Sequence, residues 1–261
     1  MATRLRELLP GMLFTVLALI GASAASAAPI LYGDFGPDLP GITIYQGVQE
    51  DSYTDPGPPG MFNAPSLSGN VLDFDPSAFA ASGLGGGLDI TNVQLNFTLV
   101  ASEGGVESLR ISESGDFSLI GIGTAVTSAT AGVSVLIDIL EVDGSAVAPI
   151  QMFGSISLSR DMAADGPVIL APWNLSLLMD FVPVLVANNI DFQFGVTRAE
   201  IAIDNQLTAI SELNSVSFIS KKDFKLLPVV REFPVVAAEP STALLLAPFL
   251  LLLPRLRTRR A

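Results

Sequence analysis

Carboxylates are the most abundant reactive side chains in this chain, which has 26 aspartate and glutamate residues against 13 lysine and arginine residues. Asp73 and Asp75 are separated by one residue, so an extended backbone directs both side chains to the same face. Glu50, Asp51 and Asp55 stand in nearby segments. Together these oxygens form a weak candidate calcium site, because calcium takes six to eight oxygen ligands. The sequence has no EF-hand loop or Gly-Asp repeat, so solvated surface carboxylates are the favoured interpretation.

Histidine and cysteine are both absent from the chain. Their absence excludes Ser–His–Asp and Cys–His catalysis, structural zinc sites and disulfides. A Ser-x-x-Lys dyad is also excluded, because none of Lys221, Lys222 and Lys225 has a serine three positions before it. A pair of carboxylates can hydrolyse a glycoside, but every acidic chain contains such pairs. We therefore predict a protein that is not an enzyme and holds no cofactor, with a carboxylate-based hydrolase as an alternative.

The net charge of −13 bears on the class of partner. Binding of nucleic acid requires clustered lysine and arginine to displace counterions, so nucleic acid is not expected as a partner. Sugar rings stack on exposed aromatic side chains, and the chain has a single tryptophan. Trp173 lies in an apolar run, which predicts a place in the core instead. Extracellular polysaccharide remains an expected partner, and a calcium-dependent carbohydrate-binding module is the alternative function.

The elements that must position these side chains are predicted to be strands. Residues 93–99 and 133–139 alternate between apolar and polar, the period of a half-buried strand. Asp143-Gly144 follows the second segment and predicts a tight hairpin turn. Further strand candidates lie at residues 152–158, 173–178, 190–196, 199–203 and 216–219. These short segments and their turn signals predict an all-β domain, an antiparallel β-sandwich or a jelly roll, which the sequence does not distinguish.

The N-terminal residues have the order of a secretory signal peptide. Arg4 and Arg6 supply a basic start, residues 12–20 form an apolar run, and Ala25 and Ala27 form an A-x-A cleavage site. We predict a signal peptide over residues 1–27 that the secretion translocase recognises and signal peptidase removes after Ala27. The apolar run is far shorter than the roughly 20 residues that span a bilayer, so a permanent N-terminal anchor is the less favoured alternative.

The C-terminal residues form a second signal in three parts, a polar motif, an apolar run and a basic tail. The apolar run covers residues 243–253. The uncharged segment from 240 to 254 spans about 22 Å as a helix, which is short of the roughly 30 Å bilayer core. This length favours transient holding over permanent anchoring. The motif consists of Glu239, Pro240, Ser241 and Thr242, and the tail contains Arg255, Arg257, Arg259 and Arg260.

This arrangement resembles the bacterial PEP-CTERM sorting domain, in which a Pro-Glu-Pro motif precedes a membrane segment and a basic tail. The resemblance covers about the last 25 residues, and it departs from the family pattern at Ala238, where the first proline would stand. It implies processing by an exosortase, a membrane-embedded transpeptidase. It implies no activity for the exported region, and an ordinary short C-terminal anchor is the alternative.

The expected organisation has four parts: a signal peptide over 1–27, a secreted all-β domain over 28–227, a linker over 228–238, and the sorting signal over 239–261. We expect a non-enzymatic protein that is exported to the cell surface or the extracellular matrix. Its C-terminal segment is expected to hold it in the membrane only transiently.

Overall fold

The computed structural model describes residues 28–37, 43–52 and 60–231. The predicted cleavage site at Ala25 and Ala27, Asp55, the sorting motif and the basic tail lie outside these residues. The helices of the described part are too short to cross a membrane.

The described residues form two antiparallel sheets. One sheet has the order β1-β2-β6-β11-β8-β9. The other has the order β10-β7-β12, with β4 and β5 on the far side of β12 and β3 beside β4. The strands are β1 (Ile30–Phe35), β2 (Thr43–Ser52), β3 (Ser66–Ser68), β4 (Val71–Phe74), β5 (Ala80–Leu84), β6 (Leu88–Ala101), β7 (Gly105–Gly121), β8 (Ser128–Val142), β9 (Ser145–Asp161), β10 (Val168–Asp180), β11 (Val196–Ile210) and β12 (Ser215–Arg231). Two short helices are α1 (Met162–Asp165) and α2 (Phe181–Ala187).

The sheets pack face to face as a β-sandwich. They are also linked at one end of the sandwich, where Val196, the first residue of β11, pairs with Val106 near the start of β7. Successive residues of a strand point to opposite faces, and β6, β8 and β11 alternate buried with partly exposed residues along most of their length. The predicted all-β sandwich is therefore confirmed, and Trp173 lies in its core, 2% exposed.

The predicted hairpin turn is confirmed in its backbone geometry. Asp143 and Gly144 connect β8 to β9 with φ angles of 49° and 74°. A two-residue turn with both φ angles positive has the twist of the flanking strands, which explains why Asp-Gly is suited to it.

The strand predicted at 190–196 is wrong, because only Val196 belongs to a strand. The Asp143 carboxylate accepts hydrogen bonds from the backbone N–H groups of Gln193, Phe194 and Gly195, at 2.5, 2.8 and 2.9 Å. A side chain from the hairpin turn thus satisfies backbone groups that a sheet would otherwise pair.

The linker predicted to begin at residue 228 also requires correction. Strand β12 extends to Arg231, and Pro228 pairs with Leu109 of β7. Pro228 lies beyond Leu226, the last residue of β12 that pairs with β4, so a residue without an N–H group is tolerated there.

Strand β7 lies at the centre of the second sheet, between β10 and β12, although the sequence analysis did not predict it. Its register with β12 shifts between the pairs Lys221–Gly115 and Asp223–Ser114, which makes Lys222 the extra residue of a β-bulge. The bulge lets both Lys221 and Phe224 face the interior, although they are three positions apart. A strictly alternating strand would expose one of them.

Gly115 allows the close approach of β7 and β12 at this bulge. A Cβ atom at position 115 would overlap the backbone oxygen of Ser220 and lie 2.9 Å from Nε1 of Trp173. The same indole nitrogen donates to the Ser220 oxygen at 3.1 Å. A side chain larger than hydrogen would therefore force two adjacent strands apart.

We expect Gly115→Ala to lower the free energy of unfolding by about 1–3 kcal/mol, the range typical of overpacking. Urea unfolding followed by tryptophan fluorescence measures the change. Gly132→Ala in β8 is the matched control, because its Cβ would meet ordinary contacts, the nearest at 3.7 Å. Equal stability losses in the two variants would contradict this account of Gly115.

Candidate functional site

The two sheets bring a lysine, a glutamate and an asparagine together in the interior. Lys221 of β12 donates from Nζ to Oε2 of Glu113 on β7 and to Oδ1 of Asn205 on β11. Lys221 and Glu113 are each 1% exposed, and Asn205 is 0% exposed. These three residues, named the buried triad below, join the second sheet to the first.

Three aromatic rings surround the lysine amine. The distances from Lys221 Nζ to the ring centroids are 5.6 Å for Phe62, 4.8 Å for Phe79 and 5.2 Å for Phe224. Ring faces attract a cation, and the attraction increases when water is excluded. Edge-to-face contacts from Phe62 to Phe79 and Phe224, with centroids 5.4 and 4.9 Å apart, hold the rings in this arrangement.

The surroundings of Lys221 favour the neutral form of its amine more than water does for a lysine on the surface. Burial lowers the pKa of Lys221, and the neighbouring Glu113 carboxylate opposes this shift without cancelling it. Two polar atoms, Oε1 of Glu113 and Nδ2 of Asn205, are buried without a hydrogen-bond partner among the described residues. Each such atom costs about 1–3 kcal/mol of desolvation, which marks the triad as a strained polar site.

Glu50 positions one of the three rings. Its carboxylate, on a side chain that is 1% exposed, accepts from Tyr32 Oη at 2.6 Å and from the backbone N–H groups of Met61 and Phe62 at 2.6 and 3.0 Å. These bonds fix the segment that places Phe62 against Lys221. Burial and the adjacent Glu50 carboxylate raise the pKa of Tyr32, so its hydroxyl remains a donor throughout the physiological range.

The carboxylates predicted as weak calcium ligands do meet, although a lysine already contacts them. Oxygen atoms of Asp73, Asp75 and Asp223 lie within 4.8 Å of one another. Lys225 Nζ lies 3.4 Å from Asp73 and 2.9 Å from Asp223, where it neutralises part of the charge. Burial raises the pKa of Asp73, Lys225 opposes this shift, and Asp223 and Asp75 add to it.

The other two described acids of the predicted calcium site have separate partners. Glu50 is bound by Tyr32 and the backbone, as above. Asp51 accepts from Nδ2 of Asn96 at 3.2 Å. They therefore do not complete a shell around Asp73 and Asp75.

A third feature is the outer face of the sheet β2-β6-β11-β8-β9. Cross-strand pairing aligns polar side chains in rows on this face. A depression of about 340 Å³ lies over one of these rows and another of about 400 Å³ over a second. Between the two runs a row that includes the exposed side chains of Leu136 and Phe153. The first row consists of Gln46, Thr98, Glu200, Asp138 and Gln151, and the second of Asp51, Gln94, Asp204, Ser134 and Ser155. We call this surface the polar face.

Comparison with known proteins finds neither a matching family model nor a matching curated protein. Among solved structures, the chain is similar to TmCBM61, a carbohydrate-binding module in complex with beta-1,4-galactotriose. The identity is 10%, the coverage is 69% of this chain and 82% of the other, and the TM-score is 0.23. It is also similar to a loop swap mutant of the Necallimastix patriciarum xylanase Xyn11A, with 9% identity, coverage of 77% and 100%, and a TM-score of 0.23.

The buried triad was missed by the sequence analysis, although one signal was present. Alternate residues of β12 face the interior, and these include Ser217, Ile219 and Lys221. A lysine that faces the interior requires a buried acid nearby, and Glu113 continues the inward parity of Leu109 and Ile111 in β7. Once β7 is recognised as a strand, parity therefore indicates that both side chains face the interior, and the sheet order decides that they meet.

We expect Glu50→Ala to lower the free energy of unfolding by about 2–5 kcal/mol, because one buried and two partly buried donors lose their acceptor. Chemical denaturation measures the loss. Glu103→Ala, at an exposed loop position, is the control and should leave stability nearly unchanged. A Glu50→Ala protein as stable as the control would show that Glu50 does not hold the Phe62 segment.

Proposed function

We propose that this chain is a non-enzymatic, exported β-sandwich protein of the cell surface or extracellular matrix that binds extracellular polysaccharide on its polar face. The observation that carries the proposal is the composition of that face. Hydroxyl, amide and carboxylate groups from five adjacent strands form continuous rows over two open depressions. Sugars present hydroxyl groups that both donate and accept hydrogen bonds, and these side chains supply the complementary groups.

The register of the polar face leaves hydrogen-bond acceptors available to a ligand. Glu200 lies directly opposite Asp138 in the neighbouring strand. Like charges in opposed positions destabilise a sheet, and Gln151 relieves only part of this by donating to Asp138 at 3.1 Å. Hydroxyl donors from a polysaccharide would bind at such a pair without requiring a charged ligand.

The non-enzymatic part of the proposal is supported by where the reactive groups lie. The buried triad is closed to any substrate from solvent, since each member is at most 1% exposed. The carboxylates of Glu200 and Asp138 lie on an open sheet surface, whereas catalysis by paired carboxylates is favoured by a site that excludes water.

The proposed location rests on the signals at the two ends of the sequence. The signal peptide directs the chain through the translocase, and the PEP-CTERM-like segment presents it to an exosortase-type transpeptidase. The domain between them is then released or attached outside the cell. The full chain has a net charge of −13, and the part between the signals is more acidic still because it lacks their six arginines, which helps to keep it soluble once exported.

Retention on immobilised polysaccharide from the native cell tests the binding proposal. We expect the double variant Gln46→Ala/Glu200→Ala to lose about tenfold in affinity, which corresponds to roughly 1.4 kcal/mol. Asn174→Ala/Ser176→Ala is the matched control, because it removes two exposed polar groups from β10 of the other sheet. It should bind like the unmodified chain.

Two outcomes would overturn the proposal. The first is an unmodified chain that is not retained on any polysaccharide of the native matrix or of a glycan array. The second is turnover of glycans, esters or peptides by the purified chain in a broad hydrolase screen, which would favour the carboxylate-based hydrolase instead.

Calcium-dependent carbohydrate binding is the second candidate, and it is favoured by the meeting of Asp73, Asp75 and Asp223. Because Lys225 Nζ competes for two of these carboxylates, we expect millimolar calcium to raise the melting temperature of Lys225→Met more than that of the unmodified chain. A ligand at a hundredfold excess over its Kd stabilises the folded state by about 2.7 kcal/mol. Asp223→Asn should abolish the shift, and no calcium shift in any of the three proteins would exclude the site.

A further inference from the structure

Three side chains with complementary reactivity meet between the sheets. Lys221 Nζ contacts Asn205 Oδ1 and Glu113 Oε2 in a site closed to solvent. An amine, a carboxamide and a carboxyl group held in contact are the components of an amide-forming reaction. We propose that the side chains of Lys221 and Asn205 become joined by an isopeptide bond once the chain has folded, with Glu113 transferring the proton and ammonia as the product.

The nucleophile is the lysine amine, which attacks only when it is unprotonated. Burial among Phe62, Phe79 and Phe224 lowers the pKa of Lys221. Nζ contacts Oε2 of Glu113, so a proton that leaves the amine has an acceptor in direct contact. Removal of the amine from water, rather than the ring faces themselves, thus favours its reactive form.

The electrophile is Cγ of Asn205. Lys221 Nζ donates to Oδ1, the atom bonded to Cγ, so the amine lies within reach of the carbonyl carbon. Pairing of Asn205 with Val93 on one side and Val133 on the other fixes the side chain toward the interior. Nδ2 of Asn205, the leaving nitrogen, has no hydrogen-bond partner among the described residues. The surroundings therefore orient the carbonyl without retaining the leaving group.

Glu113 is placed to carry the proton. Its Oε2 contacts the amine, and its Oε1 is buried without a partner in the described structure. In the reaction the Nζ–Cγ bond forms and the Cγ–Nδ2 bond breaks. Glu113 accepts a proton from Nζ and returns one to Nδ2, which leaves as ammonia. No oxidation state changes, so the folded chain needs no co-reactant.

Formation of the isopeptide bond removes two unfavourable features of the site. The ionisable amine becomes a neutral amide, and the unpartnered Nδ2 is removed together with its desolvation cost. Because β11 and β12 belong to different sheets, the bond joins the two halves of the sandwich covalently. It is a cross-link of the kind that disulfides supply elsewhere, in a chain that has no cysteine.

The mass of the purified full chain tests the proposal directly. After denaturation, we expect its intact mass to be lower than the sequence mass by one molecule of ammonia, for whichever termini peptide sequencing identifies. Cleavage after glutamate cuts at Glu200, Glu212 and Glu232, which places Asn205 and Lys221 on separate peptides, 201–212 and 213–232. The isopeptide bond keeps these two peptides together, and fragmentation of the joined species locates the bond.

Variants assign the roles of the three residues. Lys221→Met, Asn205→Leu and Glu113→Ala should each give the full sequence mass and separable peptides. Lys222→Met is the matched control, because the adjacent lysine is exposed and contacts Asp116 instead. It should retain both the mass deficit and the joined peptides. The melting temperature of folded Lys221→Met should fall below that of Lys222→Met.

The unmodified chain decides the question even if a variant fails to fold. The proposal is overturned if peptides 201–212 and 213–232 from the folded, unmodified protein separate from each other. This holds even if the intact mass shows a loss of ammonia, because the loss has then occurred at another residue. This test is independent of polysaccharide binding, so the two proposals can fail separately.

Discussion

The burial of one lysine amine between two sheets is the constraint that organises this structure. A charged or strongly polar group is stable in the interior only if partners replace the water that it has lost. Lys221 obtains them from Glu113 on the neighbouring strand and from Asn205 on the opposite sheet. The bulge in β12 and the pairing of the surrounding strands bring these three side chains to one point.

Several local features of the fold bring the side chains around the Lys221 amine into place. The bulge at Lys222 directs both Lys221 and Phe224 inward, and Gly115 lets the two strands approach at the same level. Glu50 accepts bonds from the segment that carries Phe62 and so completes the aromatic pocket. Each of these features positions a group that contacts the amine.

The two faces of the first sheet carry side chains of different chemistry. Its inner face meets the second sheet through apolar side chains and Asn205, where water is excluded. Its outer face presents rows of hydroxyl, amide and carboxylate groups to solvent. For a protein proposed to act outside the cell without disulfides, the inner face provides cohesion and the outer face provides contact with a hydrated polymer.

Local sequence patterns were sufficient for part of the fold. The alternating residues 93–99 and 133–139 lie within β6 and β8, and Asp143-Gly144 forms the hairpin turn, because side-chain alternation and positive φ angles are properties of the backbone itself. The segment 190–196 and strand β7 were not predicted correctly. The first is held by Asp143, which lies about fifty residues away in sequence, and the inward positions of the second include Glu113, which interrupts the apolar pattern.

The sequence by itself determined the all-β class, the absence of histidine and cysteine chemistry, and the expectation of export. These follow from composition and from short contiguous segments. Only the tertiary structure decided that Glu113, Asn205 and Lys221 meet, that Asp223 and Lys225 join Asp73 and Asp75, and that polar residues of five strands align on one face. The physical reason is that contacts between strands distant in sequence depend on register and sheet order, and neither is encoded in any local window of residues.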